Sequence, residues 1–153
     1  MPAAHFVKVE FILLIDDSRV VTRELPELPF LPGEDQRHCD YLEGGKVVLM
    51  QAPVRYINHS CDPNTYVKTL NSNRVVIARR EVSAEVEITY DYCINGDGDT
   101  VWLCHCRAVR CRHAIHSDFF HLPIELKREY LPLVDASFRK ARALELEELE
   151  RYL

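Results

Sequence analysis

The chain has 153 residues, of which 47% are hydrophobic and 28% charged, a size and balance that fit one globular domain with one substantial core and exclude a disordered or fibrous chain. Its net charge of −5 argues against a protein built to hold nucleic-acid phosphates, which needs clustered Lys and Arg, and suits a basic partner instead. The longest apolar run, Phe11 to Ile15, falls far short of the roughly 20 residues of a membrane span. No signal segment opens the chain, so an intracellular, cytoplasmic protein with no membrane partner is the expectation.

Phe6 to Val21 is rich in Val, Ile, Leu and Phe and is interrupted by Asp16-Asp17-Ser18, which predicts two short strands joined by a turn. Residues 23–45, punctuated by Pro26, Pro29, Pro32, Gly33, Gly44 and Gly45, are expected to form a loop-rich insertion. Lys46 to Gln51 is a strand candidate, and Val54 to Asn64 is a turn-forming segment dense in Asn, His, Ser, Asp and Pro. Tyr66 to Leu70 and Arg74 to Ala78 flank Asn71-Ser72-Asn73, a hairpin signal. Val86 to Tyr92 is a further strand, and Asn95-Gly96-Asp97-Gly98-Asp99 a flexible turn. From Pro123 the apolar spacing becomes helical, through Ile124, Leu126, Tyr130 and Leu131 and then Phe138, Ala141, Leu144, Leu146, Leu149 and Tyr152. Pro132 should divide two helices. The chain therefore reads as a mainly β body of short strands with C-terminal helices.

The six cysteines are Cys39, Cys61, Cys93, Cys104, Cys106 and Cys111. Cys104 and Cys106 are too close together to form an ordinary unstrained disulfide, and a metal site in a reducing compartment is the better reading of the cluster. Structural zinc takes four tetrahedral ligands. The cluster supplies three thiolates and leaves the fourth open among His105, His113, His116, Cys39, Cys61 and Cys93.

The segment Arg55-Tyr56-Ile57-Asn58-His59-Ser60-Cys61-Asp62-Pro63-Asn64 is too polar and too conformationally restricted to be explained by packing. It resembles the NHSCxPN signature of SET-domain lysine methyltransferases. Glu87-Ile88-Thr89-Tyr90-Asp91-Tyr92 is similar to that family's second signature, a strand ending in aromatic-Asp-Tyr, and Cys104-x-Cys106-x4-Cys111 resembles its post-SET zinc motif. The three motifs stand in the family's order, and the layout is most similar to compact stand-alone SET proteins of the bacterial type.

The resemblance implies a SET-domain fold over residues 1–103, a β-clip of short twisted sheets with a knot-like crossing, followed by a post-SET zinc segment over 104–121 and a helical tail over 122–153. It implies protein-lysine N-methyltransferase activity with S-adenosyl-L-methionine as cofactor, bound by Arg55, Asn58, His59 and Tyr92, and a basic protein or peptide as the lysine substrate. Tyr92 stands at the catalytic tyrosine, and Tyr90 at the position that limits the number of methyl groups, where tyrosine implies monomethylation. Cys61 becomes the fourth zinc ligand beside Cys104, Cys106 and Cys111, with Arg107, Arg110 and Arg112 as neighbours to the thiolates. Cys39 and Cys93 remain as free thiols, the second near the pocket rim. The chain departs from the family where glycine is usual: no Gly-x-Gly precedes residue 96, Val9 precedes Glu10, Ala84 to Glu87 holds no glycine, and Arg107 and His113 follow Cys106 and Arg112. The alternative is therefore a catalytically weak or inactive SET-like module that binds a basic protein segment.

Overall fold

The computed structural model describes residues 11–21, 32, 38–42 and 46–153. The expected lack of an N-terminal Gly-x-Gly strand, the Val9-Glu10 turn and most of the insertion at 23–45 fall outside them. Among the described residues, no helix is long and apolar enough to cross a membrane.

The expected hairpin is present as β6 (Thr65–Leu70) and β7 (Asn73–Ala78), paired from Thr65↔Ala78 to Leu70↔Asn73. Between them Asn71 and Ser72 have φ of 49° and 66°, two successive left-handed residues whose twist matches that of the paired strands. Val75, Val76 and Ile77 of β7 are all buried, a continuous apolar run that suits the inside of a sheet. β1 (Phe11–Leu14) pairs antiparallel with β7 on one side. On the other side β6 meets β8 (Thr89–Tyr90), which runs parallel to β5 (Asn58–His59), in the order β1-β7-β6-β8-β5.

β8 is much shorter than the strand expected over Val86–Tyr92. Glu85, at φ 68°, turns the chain ahead of it, and side chains replace part of the ladder. Asn64 accepts from the Thr89 N–H at 2.9 Å and donates to the Glu87 carbonyl at 2.9 Å, while the Thr65 hydroxyl donates to the Thr89 carbonyl at 2.9 Å. These bonds meet backbone groups that burial would otherwise leave unsatisfied, and they draw the segment after Asn58-His59 across the strand that precedes Asp91.

A second sheet has the order β2-β4-β3, with β2 at Val20–Val21, β3 at Cys39–Tyr41 and β4 at Val47–Leu49. β4 is wholly buried. β3 lies where only loop was expected. Arg74 joins the two sheets through a two-pronged pair with Asp17 at 2.8 Å and a further bond to Asp40.

A third sheet was not foreseen: β9 (Val101–Leu103) and β10 (Ala114–His116) bracket the cysteine loop as an antiparallel pair. The turn before it is pinned rather than flexible at its start. Asn95 donates to the Val67 carbonyl at 3.2 Å and accepts from the Asp135 N–H at 2.7 Å. A Cβ on Gly96 would lie 1.7 Å from the Ser117 carbonyl oxygen, so only glycine lets the turn lie against the strand that leaves the loop.

The tail has three helices, α1 (Ile124–Tyr130), α2 (Ala136–Ala141) and α3 (Ala143–Tyr152). Pro132 sits in a tight turn over Leu131–Leu133, as expected of a helix breaker. The second break, at Arg142 (φ −117°, ψ 34°), has a tertiary cause: its guanidinium pairs with Asp97, Asp118 and Glu145 and lies 4.7 Å over the Phe120 ring. Leu126, Tyr130, Val134, Phe138, Leu146 and Leu149 join Ile94, Ile115, Phe119 and the buried Cys61, Cys93 and Cys104 in one core cluster. The tail thus packs on its own domain, each large side chain contributing roughly 1.5–3 kcal/mol by burial.

Candidate functional site

β5 and β8 bring two of the sequence signatures into direct register, with Asn58 opposite Thr89 and His59 opposite Tyr90. The chain turns immediately after Tyr90, so Tyr92 is not on an extended strand. Its ring nevertheless lies 4.8 Å from that of Tyr90, tilted by 49°. Tyr92 keeps 41% of its surface exposed, while its hydroxyl turns inward to donate to the Ile57 carbonyl at 2.8 Å. Burial pushes the hydroxyl pKa of Tyr92 up, and that of Tyr90 further up with help from the Asp40 charge. Both phenols therefore stay protonated at neutral pH.

His59 connects this pair to the cysteines. Its ring lies edge-on to Tyr92 at 5.2 Å and to Trp102 at 5.8 Å. Its Nδ1 accepts from the Tyr92 backbone N–H at 3.2 Å, so the neutral ring carries its proton on Nε2, which faces the Cys61 sulfur at 3.5 Å. Burial holds the His59 pKa down, opposed by Asp91 and reinforced by Arg112. Asn58 is exposed at the edge and donates to Glu87 at 2.7 Å. Arg55 packs over the Tyr56 ring and bonds its hydroxyl at 2.9 Å.

Four sulfurs converge beside His59. The ligand atoms of Cys61, Cys104, Cys106 and Cys111 all lie within 4.8 Å of one another. Tetrahedral zinc with Zn–S bonds of about 2.3 Å separates its sulfurs by ~3.8 Å, and the Cys61 and Cys104 sulfurs stand 3.8 Å apart. Backbone N–H groups point at the cluster, that of Cys61 at the Cys106 sulfur and that of Arg112 at the Cys61 sulfur, each at 3.4 Å. Against the cost of burial, those from Cys61 and Ala108 help hold the Cys106 thiol down to about 6. The donor set fits a tetrahedral thiolate metal such as zinc. None of His105, His113 or His116 enters the group; His116 instead stacks on His121 with centroids 3.6 Å apart.

Cys93 is a correction to the expected rim position. It is fully buried and its thiol donates to the His116 carbonyl at 3.2 Å, whereas Cys39 is half-buried. The three arginines also separate: Arg110 pairs with Asp62 and Glu129, Arg112 turns inward to Asp91, and Arg107 is exposed in a left-handed conformation at φ 60°.

Several residues around the site were not anticipated. Asp91, 1% exposed, accepts from the Cys93 N–H at 3.0 Å, from Arg112 at 2.9 Å and from the Tyr130 hydroxyl at 3.2 Å. Burial disfavours the Arg112 charge, but the Asp91 carboxylate more than restores it. Trp102, the single tryptophan, lies 6.4 Å from the Tyr92 ring. Asp91 was legible only as the middle of a signature. Nothing local marks Trp102 or Tyr130.

Comparison with known proteins bears on this arrangement. The profile of the SET domain matches residues 4–93. Over 64 residues the chain is 42% identical to a protein named probable histone-lysine N-methyltransferase set-23 of Caenorhabditis briggsae, covering 38% of this chain and 27% of that one. It is 30% identical over 93 residues to histone-lysine N-methyltransferase ash1 of Drosophila melanogaster, 54% of this chain and 4% of that protein. To histone-lysine N-methyltransferase set1 of Dictyostelium discoideum it is 38% identical over 66 residues, 40% of this chain and 4% of that protein. The matched stretch is thus about a quarter, or far less, of the length of these relatives.

Proposed function

Because this chain belongs to the SET-domain family, we propose that it is an S-adenosyl-L-methionine-dependent protein-lysine N-methyltransferase that transfers a single methyl group. The observation that carries the reading is the tyrosine pair: two protonated phenols, centroids 4.8 Å apart, beside a register that joins Asn58-His59 to Thr89-Tyr90.

The site's surface suits the cofactor. Asn58 is an exposed amide, and beside it the partly exposed rings of Tyr92 and Trp102 pack edge to face on the ring of His59, whose side chain is only 7% exposed. Uncharged hydrogen-bonding and aromatic groups match a nucleoside joined to an amino acid. Asn58, His59 and Tyr92, together with Arg55, would hold it. Bound, it supplies an electrophilic methyl group on a sulfonium.

The remaining work falls to the protein. The lysine amine must arrive neutral and aligned, since alignment is the main catalytic requirement of such a substitution. With its proton committed to the Ile57 carbonyl, the Tyr92 hydroxyl keeps its lone pairs for an N–H of the amine. Neither tyrosine is ionised, so neither serves as base, and the lysine loses its proton to solvent before transfer. The Tyr90 hydroxyl crowds the space a second methyl group would take. Zinc held by Cys61, Cys104, Cys106 and Cys111 would tie the post-SET loop to the core beside His59. The relatives' printed names and the net charge of −5 support a basic, histone-like protein as the substrate class.

Calorimetry with the cofactor, followed by mass spectrometry of a lysine peptide, tests the reading. Micromolar binding and accumulation of monomethyl product are expected. Tyr92→Phe should bind cofactor while losing most turnover, a loss of roughly 2 kcal/mol or more in the transition state. Tyr90→Phe should retain turnover and release dimethyl product. No binding at millimolar cofactor would replace the enzyme with a SET-like module that binds a basic segment.

A further inference from the structure

The catalytic turn is held from the far end of the chain. Tyr130 closes α1 with no exposed surface, and its hydroxyl reaches Asp91 Oδ2 at 3.2 Å. Two further contacts fix the ring there. The Arg79 guanidinium lies 5.2 Å over its face, and the adjacent Glu129 accepts from Arg79 at 2.6 Å and from Arg110 at 2.8 Å. Asp91 in turn accepts the Cys93 N–H at 3.0 Å, which closes the turn carrying Tyr92.

We infer that Tyr130 is a positioning residue of the active site: by holding the Asp91 carboxylate from the C-terminal segment, it fixes the turn that aims the Tyr92 hydroxyl. The carboxylate is fully buried and also binds Arg112 at 2.9 Å. Of its two oxygens, one accepts the Cys93 N–H and the other the phenol. Arg112 already reaches both oxygens at 2.9 Å; without the phenol Oδ2 is left to that guanidinium, and the bond to Cys93 on the other oxygen loses its counterweight. Burial raises the Tyr130 pKa, so the phenol remains a donor throughout the working pH range.

The consequence for Tyr92 is geometric. Its hydroxyl must stay on the Ile57 carbonyl, 2.8 Å away, and its backbone N–H on His59 Nδ1, 3.2 Å away. Both depend on the direction in which the chain leaves Tyr90. The inference rests on the methyltransferase reading for its kinetic consequence, but not for the coupling itself.

Tyr130→Phe, made in the full zinc-loaded chain, keeps the ring and removes only the hydroxyl. The expected result is a kcat about tenfold lower with the KM for peptide unchanged within twofold, the size of effect that loss of ~1.4 kcal/mol of transition-state alignment produces. In a Tyr92→Phe background the same change should have no further effect on kcat, because the group being aimed is gone. Leu149→Ala, which removes bulk from the tail core but none of the hydrogen-bond donors on Asp91, serves as the stability control and should leave kcat per folded molecule unaltered. In amide spectra of the isotope-labelled chain, Tyr130→Phe should shift the Tyr92 and Cys93 signals and speed exchange of the Cys93 amide, whereas Leu149→Ala should not. Unmoved Tyr92 and Cys93 amides would overturn the proposal, as would kcat losses that multiply in the double variant. If the unmodified chain transfers no methyl group, the enzymatic reading fails, and the amide signals alone decide whether Tyr130 holds the turn.

Discussion

Replacing Arg107 and His113 by glycine should stabilise the protein, although both residues are polar and sit beside the thiolate cluster. They have φ of 60° and 62°, in the left-handed region, where a Cβ crowds the following carbonyl at a cost of about 1–2 kcal/mol. Glycine removes that strain but gains freedom in the unfolded chain, which returns about 0.4–1 kcal/mol. The net expectation is about 0.5–1 kcal/mol per site. For a chain of this size each kcal/mol moves Tm by about 2–4 °C, so each single variant should melt about 1–4 °C higher. Glu85, at φ 68°, lies on a separate turn, so its gain should add to theirs. Arg107 and His113 share the cysteine loop, and the His113 carbonyl accepts from the Cys104 N–H at 2.6 Å, so their pair is measured directly. Calorimetric melting of zinc-loaded protein, with zinc content measured alongside, is the assay. Asn71→Gly is the control, since asparagine already tolerates its φ of 49°. Lower Tm in both Arg107→Gly and His113→Gly, at unchanged zinc content, would refute the assignment of backbone strain to these positions.

Purified protein should carry about one zinc per chain, and Cys61→Ser should lose most of it; unchanged content would remove Cys61 from the ligand set. Thiol titration of the folded zinc form should find only Cys39, because Cys93 is fully buried, and reaction of two or more thiols without unfolding would contradict the arrangement. Glu129 should support the tail at neutral pH. Its carboxyl is held down to about 2, first by the hydrogen bond to Arg110 and with help from Arg79. A depressed acid stabilises above its ordinary pKa and loses that contribution as pH falls toward the depressed value. With 35% of the side chain exposed, solvent screening limits the effect to about 1 kcal/mol. The difference in unfolding free energy between wild type and Glu129→Gln should therefore be flat above about pH 4.5 and shrink between there and about pH 2. A difference independent of pH would show that the pair contributes nothing electrostatic.

Where the chain carries a local pattern, its sequence was informative. Asn71-Ser72-Asn73 between two apolar runs announced the β6–β7 hairpin, because tight turns favour residues that accept positive φ. The helical spacing after Pro123 announced the tail. The positions where glycine is usual but absent mark three of the left-handed residues, Glu85, Arg107 and His113, since φ is a property of one residue. The short signatures around Asn58 and Tyr90, both within the matched residues 4–93, identified the family.

Features that depend on distant partners were not legible. β3, β9 and β10 have three residues each, too few to show an alternation. The strand expected over Val86–Tyr92 reads as extended in sequence but is cut short because Asn64 and Thr65 occupy its bonding groups. The break at Arg142 follows from an ion-pair set that includes Asp97, 45 residues away. Cys93 looked like a rim thiol because it follows the expected strand end at Tyr92, but the tail core covers it. The chemistry of individual residues, thiolate, phenol and imidazole, was written in the chain and needed only recognition. Which of them meet was decided by tertiary packing, above all by the buried Asp91, where Cys93, Arg112 and Tyr130 converge from separate parts of the chain, because a buried carboxylate must find its donors in space wherever they lie in sequence.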